Sequence, residues 1–256
     1  MGKELVVDKN YSAQRTEIST SIEEFTMYSE TLGDAERNVI KVVPFEREKI
    51  TIKSFKIPNV INQIAYRFFR KSKAERSYAY AKQLLELGIG TPKPIAYQIE
   101  FTPLLFKKSY YLSELVVCDL TYRELTTDFS IPDYENILRA FTRFTYKLHQ
   151  KGVNFLDHSP GNTLIVRKED GYEFYLVDLN RMKFGKMDFE TRIKNFAKLT
   201  IHRSMIEIMS NEYAKCTGEN EQDILNLMWK NTEDFQHKFY RKKRLKKRLL
   251  FWQKRD

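Results

Sequence analysis

The sequence predicts an α+β fold in two lobes, a small antiparallel β-rich N-terminal lobe carrying one helix and a mainly α-helical C-terminal lobe. Three observations lead there. Runs with period-two alternation, at 38–43, 49–55, 95–101 and 109–117, crowd the first half of the chain. Between them lies one stretch of helical composition, 73–88, closed by Gly88 as a natural helix-terminating residue. In the second half apolar residues recur at helical spacing over 134–150, 201–213 and 222–229. A chain of 256 residues suits one bilobal domain or two small ones.

In chain order, residues 1–20 carry little apolar periodicity and are expected to form a flexible N-terminal arm. The stretch 22–32 reads as a first strand ending at Gly33-Asp34, and the N-lobe is placed at 21–115. The C-lobe follows at 116–237, opened by an amphipathic helix over 134–150 with Pro132 and Asp133 before it and Gly152 after it. Residues 238–256 form a basic C-terminal tail, with ten Lys or Arg against one acid, so most of the chain's net charge of +10 sits there. No apolar run approaches the ~18 residues of a membrane span, and the N-terminus lacks a secretory signal, so a cytoplasmic location is expected. Cys118 and Cys216 form no metal or redox motif. His149, His158 and His202 lack the spacing of a zinc site.

The chemistry is concentrated in Asp157-His-Ser-Pro-Gly-Asn162, followed sixteen residues later by Asp178. Two β-rich runs, 163–167 and 172–177, joined by Lys-Glu-Asp-Gly, read as a hairpin that returns Asp178 toward Asn162. Alone, the six-residue stretch is equally a good turn. With the hairpin and Leu-Val-Asp-Leu-Asn-Arg behind it, the spacing matches the protein-kinase signature. In that signature an Asp takes the proton of the attacking hydroxyl, while an Asn and a later Asp hold the Mg²⁺ that bridges nucleotide phosphates. Asp157 is thus the candidate base, and Asn162 and Asp178 the candidate metal ligands, with ATP as the nucleotide. Mg²⁺ prefers oxygen ligands, which a carboxylate and a carboxamide supply. Gly161 and Pro160 suit a tight turn. Lys53, on the third strand, is the candidate for the α/β-phosphates, with Lys56 on the opposite face. Position alone makes Glu114 and Leu115 candidates for the adenine-binding hinge. A phosphate-covering glycine loop is thin: Gly33 through Asn38 has one glycine, with Arg37 as a possible substitute charge.

The loop Asp157–Asn162 resembles the Asp-Leu-His-Pro-Gly-Asn loop of aminoglycoside-phosphotransferase-like kinases. Leu176-Val-Asp-Leu-Asn-Arg181 is closer to the Asp-Phe-Asp-Arg type segment of the Kdo/WaaP lipopolysaccharide kinases, which phosphorylate inner-core sugars. Gly88-Ile-Gly-Thr-Pro-Lys-Pro94 resembles that family's entry to the fourth strand, and Arg192-Ile-Lys-Asn-Phe-Ala-Lys-Leu199 resembles its Arg-x-x-Asn-Leu-x-Arg-Leu helix. Phe155 stands where the family pattern has His. The resemblance implies a protein-kinase-like bilobal fold, with 73–88 as the αC helix, and an ATP-dependent, Mg²⁺-dependent kinase. Its acceptor would be a Kdo or heptose hydroxyl of a lipopolysaccharide precursor. Counting back from Gly88, the family's lysine-pairing Glu falls at Ser77, which leaves Glu75 as the nearby acid for Lys53.

Two other readings stay open beside this one, a pseudokinase that binds nucleotide as a scaffold and a small-molecule phosphotransferase. A nucleic-acid binder is disfavoured because the basic charge is one terminal run. That run, with Leu245, Leu249, Leu250, Phe251 and Trp252, suits an interfacial helix on an anionic membrane surface. The expected place of work is then peripheral on the inner face of the cytoplasmic membrane.

Overall fold

The computed structural model describes residues 1–33 and 38–253, with the side chains of the last helix described as far as Lys247. The expected phosphate-covering turn, including Arg37, falls on 34–37 and lies outside the described residues. Two compact units emerge, Met1–Val117 with Tyr175–Arg181, and Cys118–Phe174 with Met182–Asp256. The first cut lies two residues from the expected 115/116. The segment bearing Asp178 belongs to the first unit, an assignment that no single cut along the chain can express.

In the first unit the elements are β1 (Gly2–Val7), α1 (Arg15–Glu23), β2 (Thr31–Leu32), β3 (Asn38–Phe45), β4 (Glu48–Phe55), α2 (Val60–Phe68), α3 (Lys73–Glu86), β5 (Pro94–Phe101) and β6 (Phe106–Glu114). The strands make one six-stranded sheet in the order β1-β5-β6-β4-β3-β2, every described pair antiparallel. In β4 the period-two pattern puts Ile50 and Ile52 in the core and Lys53 on the other face. On α3, Ala74, Ser77, Tyr78, Ala81 and Leu84 are buried at helical spacing. Its start is capped by Ser72, whose side chain accepts the Glu75 N–H. Gly88, with φ of 69°, ends it in the left-handed conformation that a residue with a Cβ resists.

The N-terminal residues correct two expectations. Gly2–Val7 is not a loose arm but an edge strand, in register from Gly2 opposite Phe101 to Val7 opposite Ala96. Residues 22–32 are not one strand: α1 runs to Glu23, burying Ile18 and Ile22, and only Thr31–Leu32 pairs with β3. Each buried isoleucine contributes about 1.5–3 kcal/mol by leaving water. Between strand and helix, Asp8 is buried and accepts from the Asn10 N–H, from Tyr78 Oη at 3.0 Å and from Lys82 Nζ at 2.9 Å. Burial pushes its carboxyl up, and the Lys82, Asn10 and Tyr78 bonds outweigh that and hold it below the usual range.

The second unit holds β7 (Leu120–Thr121), α4 (Tyr122–Leu125), α5 (Tyr134–Gln150), β8 (Val153–Phe155), β9 (Thr163–Lys168), β10 (Gly171–Leu176, whose last two residues count with the first unit), β11 (Met182–Phe184), α6 (Phe189–Lys194), α7 (Arg203–Thr217) and α8 (Glu221–Gln253). Its core is built on Ile137, Leu138 and Phe141 of α5, Met205, Ile206, Met209 and Tyr213 of α7, and Ile224 and Met228 of α8. The tail continues α8 as helix to Gln253, and residues 237–247 are exposed. Among the described residues no helix is long and apolar enough to cross a membrane.

An Asp8→Ala variant should unfold about 1–3 kcal/mol more easily in urea, because it leaves the buried Tyr78 hydroxyl without its acceptor. A loosely held arm would give no change.

Candidate active site

In the first unit, Lys53 Nζ lies 2.7 Å from Asp178 Oδ1, a pair 125 residues apart in sequence. Its side chain is only 13% exposed, with the ammonium 5.4 Å from the Phe55 ring centre, whereas Lys56 is exposed. Asp178 is held in place from both sides of the chain. Upstream, the Leu176 N–H donates to Gly90 O and the buried Thr91 hydroxyl donates to Leu176 O at 2.8 Å. Downstream, Asn180 Nδ2 donates to Asp178 Oδ1 at 2.7 Å. Asp178 itself has φ of 58°, a left-handed conformation that costs energy and that short polar side chains tolerate best. Such strain persists where surrounding bonds over-determine it. The Lys53 and Asn180 bonds both land on Oδ1, so Oδ2 is the oxygen Asp178 can offer a cation.

Glu75 does not pair with Lys53. It lies 3.4 Å from Lys71, just ahead of the helix start, and Ser77, the family's acid position, is buried. Two residues on a helix turn a side chain by about 200°, so an acid at 75 points away from the face that Ser77 presents to the sheet. The hinge candidates are placed differently from expectation as well. The Glu114 N–H donates to Lys93 O and the Leu115 N–H to Lys49 O, so both amides are occupied within the sheet. The Glu114 carboxylate accepts from Tyr11 Oη at 2.6 Å and lies 3.4 Å from Lys93 Nζ.

In the second unit, β8 pairs with β11 and leads into the loop 156–162. The loop folds on itself: the His158 N–H donates to Phe155 O, the Asn162 N–H to Ser159 O, and Asn162 Nδ2 to Asp157 O at 2.8 Å. With its amide nitrogen committed, Asn162 presents its amide oxygen, the atom a hard cation takes. Gly161 serves differently from expectation, since its φ lies outside the left-handed range. A Cβ there would sit 2.6 Å from Arg123 Nη2, so glycine leaves room for that guanidinium. Asp157 has Lys198 Nζ at 3.6 Å, and the same ammonium donates to Leu156 O.

The loop rests on Asn195. Its Nδ2 donates to Asn154 Oδ1 and to Phe155 O, which orients the amide and turns Oδ1 toward two imidazoles. His158 Nδ1 lies 3.0 Å from that oxygen and His149 Nε2 3.3 Å, so both nitrogens are donors. His149 Nδ1 then accepts from Tyr213 Oη at 2.8 Å. His158 is buried between the Phe141 and Phe155 rings, so it does not reach outward to a substrate as its place in the loop suggests. Asn195, Lys198, Thr91 and Asn180 each lie inside a quoted motif, yet nothing in their spacing announces their partners.

A family model described as the lipopolysaccharide kinase (Kdo/WaaP) family matches residues 56–228. The 3-deoxy-D-manno-octulosonic acid kinase of Pasteurella multocida (strain Pm70) is 29% identical over 170 residues, which cover 64% of this chain and 68% of that protein. Among solved structures, one of WaaP in complex with acyl carrier protein matches with a TM-score of 0.61 and 15% identity, over 90% of this chain and 98% of that one. At that identity the likeness concerns the fold, which is α+β and protein-kinase-like, with an antiparallel β-rich unit and a mainly helical one.

Burial lowers His158 to about 4 and His149 to about 3, against the opposing pull of Asn195, so both are neutral at pH 7. Below the ordinary imidazole value near ~6.5 the unfolded chain takes up protons that the folded chain excludes. Their contribution to stability is therefore complete above that pH and is lost progressively as pH falls toward about 4. In an NMR titration the ring protons of His149 and His158, assigned through the His→Gln variants, should not shift between about pH 8 and about pH 5. Titration of either near ~6.5 would contradict the buried network.

Proposed function

Because the chain belongs to the lipopolysaccharide kinase (Kdo/WaaP) family, we propose that it transfers the γ-phosphoryl group of ATP to a sugar hydroxyl of a lipopolysaccharide inner core, on Kdo or heptose. The observation that carries this reading is the Lys53–Asp178 ion pair, which joins the residues that motif spacing assigns to phosphate and to metal. In this reading Lys53 would serve the α/β-phosphates when nucleotide binds, and Asp178 and Asn162 are the residues that would hold Mg²⁺. When bound, Mg²⁺ would neutralise charge on the phosphate oxygens. The Asp157 carboxylate accepts the proton of the acceptor hydroxyl as the oxygen attacks phosphorus. Lys198 positions that carboxylate through its contact at 3.6 Å and its bond to Leu156 O.

Two features support an anionic, lipid-linked acceptor. A cleft of about 310 Å³ beside the loop is lined by Lys194, Lys198 and Lys238 against one acid, Asp234, a net positive lining suited to a carboxylate or phosphate on the sugar. The basic end of α8 suits an anionic membrane surface, at about 1 kcal/mol for each Lys or Arg near the lipid.

Asp178→Ala should abolish Mg²⁺-dependent nucleotide binding, whereas Asp157→Ala should retain binding and lose phosphoryl transfer, read with radiolabelled ATP and a Kdo-bearing lipid A precursor. Normal transfer by Asp157→Ala would sink the base assignment, and nucleotide binding without transfer by the native chain would favour the scaffold reading. Lys53→Ala should lose turnover that Lys56→Ala keeps; equal losses would mean that strand position does not single out the phosphate lysine. Deleting residues 238–256 should reduce flotation with anionic liposomes at low salt while sparing ATP binding. Unchanged flotation would remove the tail from the account.

A further inference from the structure

The helix α2 (Val60–Phe68) is inverted with respect to its surroundings. A surface helix ordinarily turns its apolar stripe to the core. Here Val60, Ile61, Ile64 and Phe68 fall within an arc of about 100°, and all four are exposed, Ile61 to 78%. Phe69, which follows directly, is 84% exposed. The residue facing inward is the polar Gln63, buried, with Nε2 bonded to Pro58 O. The orientation is fixed from beneath: the Tyr66 ring lies 5.5 Å from Phe106, and Arg67 donates to Thr102 O with its guanidinium 4.3 Å over the Phe101 ring. A Ser72 cap on the following helix and an Asn59 cap on this one fix both ends of the segment.

The surrounding charge is mainly basic, with Glu75, 3.4 Å from Lys71, as the nearest acid along the chain. From Lys56 to Ala74 the sequence holds five basic residues, Lys56, Arg67, Arg70, Lys71 and Lys73, and no acid. Arg70 and Lys71 directly follow the apolar arc and are exposed. A convex helix with bulky aliphatic and aromatic side chains on its outward face and cations along its border has the chemistry of an interfacial helix.

We propose that the outward face of α2, with Phe69, is a lipid-docking surface that seats the first unit on an anionic bilayer. Its apolar side chains enter the interface and Arg70 and Lys71 contact lipid phosphates. The surface comes from a different stretch of the chain than the basic tail and rests on none of the catalytic assignments. Because part of the binding is apolar, a fraction of it survives salt that screens the tail.

The test uses the full chain and vesicles of phosphatidylglycerol and phosphatidylcholine, with sedimentation read at low and high salt. Ile61→Glu/Phe69→Glu should lower the partition coefficient at least tenfold at both salt concentrations, with melting temperature and ATP binding unchanged, since both positions are exposed. Ile61→Leu/Phe69→Leu should bind as the native chain does. Deleting 238–256 should leave in place the salt-resistant binding that α2 contributes. Undiminished vesicle binding by the glutamate variant overturns the proposal, as does a native chain that ignores anionic vesicles. Loss of binding to purified acyl carrier protein with vesicle binding intact would assign the face to a protein and overturn it as well.

Discussion

The carboxamide of Asn195 is the fixed point from which the second unit's loop 156–162 is built. A half-buried amide that serves four neighbours at once loses several bonds in any other arrangement, so it favours one arrangement of the chain around it. Asn195 grips Phe155 O and Asn154 on one side and two neutral imidazoles on the other. The chain leaving β8 must therefore pass over this hub before it reaches Asp157. His158, one residue later, is drawn inward by the same amide, which leaves Asp157 beside Lys198. The order of the loop is thus a consequence of satisfying polar groups beneath it.

In the first unit the corresponding constraint is the tether of 175–181. Thr91 and Gly90 hold Leu176, and Asn180 holds the carboxylate two residues before it, so Asp178 is kept in a backbone conformation that free chain would avoid. The Lys53 ammonium then meets a carboxylate that cannot swing away. The Lys53 side chain is 13% exposed and that of Asp178 32%, so water reaches the pair mainly from the carboxylate side. Ser77 in place of an acid on α3 belongs to the same picture. With no carboxylate on that face of the helix, Lys53 takes the acid that the tether supplies.

Charge is arranged as deliberately as polarity. Most of the chain's net positive charge sits at the end of α8, and a second basic stretch surrounds α2 in the other unit. On α8 the charge stands on an exposed helix, while around α2 it borders an apolar face. Exposed Phe239, Tyr240 and Leu245 stand among the cations of α8, so both places combine charge with apolar area, and these two contributions respond differently to salt.

What the sequence determined by itself was the set of local patterns. Period-two runs placed β3, β4, β5 and β6, helical spacing placed α3 and α5, and Asp157, Asn162 and Asp178 stood out because turn chemistry and metal chemistry favour the same few residue types. Lys53 was legible because alternation along β4 separates it from Ile52 and from Lys56. The partners were not legible. Leu5, Val6 and Val7 carry too short a pattern to announce a strand until β5 pairs with them, and Ile18 reads as an isolated residue until a sheet covers it. Glu75 reads as the acid for Lys53 until the tether to Thr91 is seen to hold Asp178 against it. Gly161 reads as a turn residue until Arg123 is seen to fill the space a Cβ would need. The physical reason is common to all of these: periodicity and composition report which residues share a face, but what covers that face is a long-range contact whose entropy cost only the assembled fold repays.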